Sequence, residues 1–285
     1  VPRRWLTALA FAALSACNSA PQPAHPAFWK ITGPHGEQGW LLGTIHALPR
    51  AAAWRSPVID GALGQANVVA VEVADLGDRA AMASLFDRLE HSPGLPPLSA
   101  RIDPALRLAL TRQLAAAHIS EADFATTETW AAALRLARAG EDNGDSANGI
   151  DRAVLRAGAG KQVVELEGAE RQLGLFDAMP ETEQRAMLAA VLRETGRTED
   201  NALADAWRKG NFAVIEAETR RGLLAVPALR ETLFTARNKA WSEAISSRLI
   251  RGERVFVAVG AAHMAGTDGL AAMLRDQGFR VTRLQ

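Results

Sequence analysis

The chain has 285 residues and a mass of 30.4 kDa, enough for one large domain or two small ones. Hydrophobic residues make up 48% and charged residues 22%, and 32 basic side chains balance 32 acidic ones, which excludes a disordered or collagen-like chain and a dedicated nucleic-acid binder. The single cysteine excludes an internal disulfide framework and any multi-cysteine metal site.

In chain order, Val1-Pro2-Arg3-Arg4 and the apolar run Trp5 to Ala13 come first. The run is too short to cross a bilayer as a helix and reads as the apolar core of a signal peptide. It ends in Leu14-Ser15-Ala16-Cys17, which resembles the lipobox of bacterial lipoproteins. Residues 1–17 are therefore expected to be a lipoprotein signal peptide, with Cys17 the lipidation site. The resemblance implies a membrane-anchored protein of the cell envelope that faces the periplasm. Asn18 favours the outer over the inner membrane. Residues 18–27 are expected to be a tether, and 28–285 the folded domain.

Phe28–Ile31 and Trp40–His46 read as strands, joined by the turn residues Gly33-Pro34-His35-Gly36 into a hairpin. Ser56-Pro57 opens a helix. Asn67–Val73 is a β-branched run of buried-strand length. Residues 78–140 are mostly helical by pattern, with a break at Pro93–Pro97, and Glu141–Gly149 is a polar loop. Lys161–Glu167 is a third strand after a short helix. Residues 180–250 are again helical, with breaks expected at Gly210 and Pro227. Arg254–Gly260 is the clearest buried strand, 267–276 a helix, and Phe279–Leu284 a last strand. Strands at both chain ends must pair across long separations. This predicts a single α/β domain with a central mixed sheet and a largely helical middle that can act as a lid.

Two of the six histidines occupy the same local frame, glycine followed by histidine three residues later at the end of an apolar strand. These are His46 in Gly43-Thr44-Ile45-His46 and His263 in Gly260-Ala261-Ala262-His263. Strand ends are where α/β sheets bind ligands. Glu72 is a carboxylate inside an otherwise apolar strand, and Glu167 closes the third strand. Two imidazoles and one or two carboxylates suit a divalent Zn, Mn, Co or Fe ion. The helical HExxH pattern, the GxSxG elbow and the P-loop are absent.

Several segments together resemble the TraB/PrgY/GumN family. They are Phe28–Ile31, Leu41–His46 with Leu48-Pro49, Val71-Glu72-Val73, Gly149-Ile150-Asp151, and Leu166-Glu167-Gly168 with Gln172. Arg237-Asn238 with Trp241, Val259–His263, Gly266 and Asp268-Gly269-Leu270 complete the set. The family is similar to the Tiki proteins, membrane-associated metalloproteases with two Gly-x-x-His motifs and a glutamate. The resemblance implies that His46, His263 and Glu72 hold a divalent metal. It also implies catalytic positions at Glu72, Glu167, Arg237 and Asn238, with a peptide or protein as substrate. The alternative it leaves open is a non-catalytic protein that sequesters a peptide or a metal.

Overall fold

The computed structural model describes residues 20–75, 78–140, 145–194 and 200–285. The expected signal peptide, Cys17 included, lies outside the described residues. Among those described, no helix is long and apolar enough to cross a membrane.

Among the described residues, eight strands form two sheets. The small one pairs β1 (Gln22–Pro23) in parallel with β4 (Ala52–Ala53). The large one contains β2 (Phe28–Thr32), β3 (Gln38–Thr44), β5 (Val68–Val71), β6 (Gln162–Glu165), β7 (Val255–Gly260) and β8 (Arg280–Arg283), in the order β6-β5-β7-β3-β2-β8. β6, β5, β7 and β3 run parallel, while β2 and β8 are antiparallel to their neighbours. The six expected strands are therefore all present in one mixed sheet.

The central strands β5, β7 and β3 are buried on both faces, as expected of parallel strands joined by helical crossovers. Because side chains alternate, Trp40, Leu42, Val69, Val71, Phe256 and Ala258 pack on one face with helices Pro57–Gln65 and Ile150–Ala157. Leu41, Val68, Ala70, Val255, Val257 and Val259 pack on the other with helices Ala236–Ile250 and Leu270–Asp276. Ser56 caps the first crossover helix, its hydroxyl accepting from the Ile59 amide, and Pro57 takes the first helical position, as its missing N–H allows.

The helical middle has a core of its own. Leu98, Phe124, Trp130 and Leu136 meet Met187, Leu188 and Leu229 there, so the two helical stretches form one lobe. Two expectations are corrected by packing. The described part of the 18–27 tether lies against the domain: Ala24 and Ala27 are buried, and Gln22 donates its amide to the Ala51 carbonyl. The break expected at Pro227 is present: Val226 is extended, and Pro227 opens the next helix, Pro227–Arg230. The last helix starts at Leu270, because 266–269 turns through Gly266 at φ 77°.

Candidate functional site

The four parallel strands end along one rim. His46 lies two residues past β3, Glu72 one past β5, Glu167 two past β6 and His263 three past β7. Thr44 pairs with Gly260 and Val71 with Ala258, so these ends are adjacent although some of the residues are more than two hundred positions apart in sequence. Arg237 and Asn238 come from the first turn of helix Ala236–Ile250. A π turn over Glu231–Thr235 precedes it and turns Phe234 inward, a local irregularity common beside functional sites.

Each imidazole is held by its Nδ1. His46 Nδ1 lies 2.9 Å from Asp151 Oδ2, and Asp151 Oδ1 accepts from the Thr44 hydroxyl at 2.5 Å. The Asp151 hydrogen bond raises His46 to about 9, although the ring is 70% exposed. Asp151 itself is buried, which opposes ionisation, but the His46 and Thr44 bonds hold it below its ordinary value. Asp151 is the residue that the sequence marked only as part of a motif. Its place in Gly149-Ile150-Asp151 was the available signal, but nothing in the chain order linked it to His46.

His263 is buried, its ring stacked on Phe234 at 5.2 Å and tilted against Trp241 at 4.6 Å. The Asn238 amide nitrogen donates to the Asp268 carbonyl at 2.9 Å, which turns its oxygen toward His263 Nδ1 at 2.7 Å. That oxygen only accepts, so Nδ1 carries the proton and Nε2 keeps its lone pair. Burial pushes His263 down to about 4, with Arg237 and His46 acting in the same direction. The ring is neutral at physiological pH.

Glu72 is 6% exposed. Its Oε1 accepts from the Gly260 amide at 2.7 Å, and its Oε2 from Arg237 at 3.0 Å and Gln172 at 3.4 Å. Burial opposes its charge, yet the imidazoles, Arg237 and the Gly260 amide hold its carboxyl below the usual value. Glu167 makes a two-pronged pair with Arg237 at 3.1 and 2.7 Å, with its side chain 2% exposed. Of the two carboxylates, Glu72 therefore faces the free space and Glu167 fixes the guanidinium. Glu165, the last residue of β6, instead accepts from the Ala74 amide and lies outside the cluster.

The two frame glycines serve different spatial ends. A Cβ on Gly43 would lie 2.9 Å from the Ala261 Cβ, so its absence lets the two frames touch. A Cβ on Gly260 would sit 3.4 Å from Glu72 Oε1, 3.6 Å from His263 Cδ2 and 3.8 Å from His46 Nε2. That one point is therefore surrounded by all three residues, and glycine leaves it open. A cavity of about 210 Å³ lined by His46, Glu72, Asp151, Arg152 and Gln172 adjoins it.

A profile of the TraB/PrgY/gumN family matches residues 27–283, nearly the whole chain. The chain belongs to the TraB/PrgY/gumN family. No curated protein and no solved structure is significantly similar to it. Every residue of the rim cluster falls inside the region matched to the TraB/PrgY/gumN family, and the cluster uses both Gly-x-x-His frames.

In this TraB/PrgY/gumN protein His46, His263 and Glu72 border one space, but they do not place three donor atoms within 4.8 Å of one another. Both imidazoles have the outer hydrogen bond typical of metal-ligating histidines. Arg237 Nη1 stands 3.5 Å from His263 Nε2, so a guanidinium competes for one side of the space. Elsewhere, Asp87, Glu90 and His91 place donor atoms within 4.8 Å of one another. There Arg135 already pairs with Glu90, and His91 is bonded to Thr126.

Proposed function

We propose that this protein is a divalent-metal-dependent hydrolase of the cell envelope, acting on peptide bonds. The observation that carries the proposal is the convergence of His46 Nε2, His263 and Glu72 around the missing Cβ of Gly260. Asp151 and Asn238 hold the Nδ1 atoms, which directs both Nε2 atoms away from those partners. A Mn, Co, Zn or Fe ion, which His46, His263 and Glu72 would hold, would supply Lewis acidity and a nucleophile from water near neutral pH. Glu72, ionised and facing the space, would accept a proton at its carboxylate. Arg237, fixed by Glu167, presents positive charge where a scissile carbonyl oxygen becomes negative. Asn238 positions His263. Gln172 reaches the same pocket from helix Ala169–Asp177, whose Leu173 packs into the core of the helical lobe, and this lobe is the proposed cover. Cys17 is the proposed lipid anchor, with the site facing the periplasm.

Elemental analysis of purified protein tests the metal centre. His46→Ala and His263→Ala are each expected to abolish tight binding, with circular dichroism unchanged, because one ion needs both rings. A folded double variant with undiminished metal would overturn the site. Metal-loaded wild type that leaves a peptide library intact would overturn the hydrolase and leave the second reading, a binder of peptide or metal. That reading is favoured by the Arg237 guanidinium beside His263. Incorporation of a palmitate analogue tests the anchor: Cys17→Ser is expected to lose it, and equal labelling would reject it.

A further inference from the structure

We infer that Arg230 is a positioning residue for His263: through its grip on Asp268 it decides which end of the Asn238 amide faces the ring, and so which ring nitrogen is turned to the rim with a free lone pair. The inference concerns the ring itself and holds whether the rim hydrolyses a substrate or only binds one.

An amide can offer a neighbour either its oxygen or its NH2 group. At Asn238 the Asp268 main-chain carbonyl makes the choice, because it only accepts and takes the Nδ2 donor at 2.9 Å. The amide oxygen is left for His263 Nδ1 at 2.7 Å. The carbonyl can do this only if its loop is fixed. Residues 265–269 lie between the turn Ala261–Met264 and helix Leu270–Asp276 and belong to neither, so the fixation comes from side chains.

Arg230 supplies it. Its Nε and Nη2 donate to the two Asp268 side-chain oxygens at 2.8 and 2.7 Å, a two-pronged charged pair. The Thr235 hydroxyl adds a third donor, to Oδ2 at 2.9 Å. The guanidinium is itself held, its Nη1 donating to the Thr219 carbonyl at 2.5 Å.

The same side chain reaches the ring by a second route. The Arg230 guanidinium lies 4.8 Å from the centre of the Phe234 ring, and Phe234 is stacked on His263 with 13° between the planes. The stack sets the plane of the imidazole, and the Asn238 oxygen sets its rotation within that plane. Thr235 and Phe234 both come from the π turn Glu231–Thr235, which follows Arg230 directly and leads into the helix carrying Asn238. Without the grip, Asn238 is free to turn its NH2 group to Nδ1. Nδ1 would then accept, the ring proton would sit on Nε2, and the nitrogen facing the rim would become a donor.

Long-range proton–nitrogen NMR of the chelator-treated full chain at neutral pH reads the tautomer, with the His263→Gln spectrum identifying the His263 signals. Wild type is expected in the Nδ1–H form. Arg230→Gln and Asp268→Asn should each raise the ratio of Nε2–H to Nδ1–H by about tenfold or more, the change expected when one hydrogen bond no longer favours one form. The double variant should go no further than the single ones, since both remove the same grip. Arg230→Lys, which keeps the charge and loses the fork, should fall between. If Arg230→Gln fails to fold, Thr235→Val replaces it, removing one donor to Asp268 and no charge, with a smaller shift in the same direction. A merely structural Arg230 would lower the melting temperature and leave the tautomer alone. An unmixed Nδ1–H form in the folded variant, or an Nε2–H form in wild type, would overturn the inference. Peptide cleavage does not enter the result, so its absence bears only on the hydrolase reading.

Discussion

His46 and Asp151 are 105 residues apart in sequence, and 2.9 Å separates His46 Nδ1 from Asp151 Oδ2. The pair fixes which ring nitrogen faces the rim. It also keeps His46 protonated at neutral pH, because the hydrogen bond to Asp151 raises it to about 9. Asp151→Asn should return His46 toward its ordinary 6.5, read as a shift in its NMR titration midpoint. The sign for stability follows from the raised value. The pair's contribution is complete below about pH 6.5 and fades as pH rises through about 9. A cation at Nε2 must displace that proton, so metal affinity should rise with pH over the same window.

His263 has the opposite pH behaviour. Its value falls from 6.5 to about 4 on folding, chiefly through burial, so the unfolded chain binds the proton first. Stability should drop as pH falls from 6.5 to 4, by about 3 kcal/mol in all. Urea unfolding across that range measures it. His263→Gln should be less steep over this window, and an identical slope in the variant would remove His263 as the cause.

Gly43→Ala and Gly260→Ala should separate packing from function. The Gly43 methyl meets the Ala261 Cβ at 2.9 Å and its Cα at 3.0 Å, so the variant should lose about 1–3 kcal/mol of stability by overpacking. The Gly260 methyl makes ordinary contacts of 3.4 Å or more, so stability should stay within about 0.5 kcal/mol. It occupies the shared space, however, and metal binding should fall sharply. Thermal denaturation with metal analysis of both variants distinguishes the two outcomes.

Arg237→Ala would strand two buried carboxylates, Glu72 and Glu167, whose side chains are 7% and 2% exposed. A loss of about 3–5 kcal/mol is expected near neutral pH, shrinking in acid as the carboxyls take up protons. Adding Glu167→Gln should restore part of it. Additive losses in the double variant would show that the pair is not coupled.

The sequence by itself determined the six strands of the large sheet, because apolar runs such as Val68–Val71 and Val255–Gly260 carry their burial in their composition. It also marked His46, Glu72, Glu167 and His263, since a polar side chain at the end of an apolar strand is costly without a partner. Strand order, register and partnership were decided only by the tertiary structure. Placing β7 between β3 and β5 sets the two glycine frames side by side, and no local pattern encodes that choice. The contrast between Glu165, turned to the Ala74 amide, and Glu167, turned to Arg237, arises just past one strand end. Asp151 received its role, and Gly260 its empty space, from residues over a hundred positions away. Propensity and periodicity act over a few residues. Hydrogen bonds and close packing act between whatever side chains the sheet brings together.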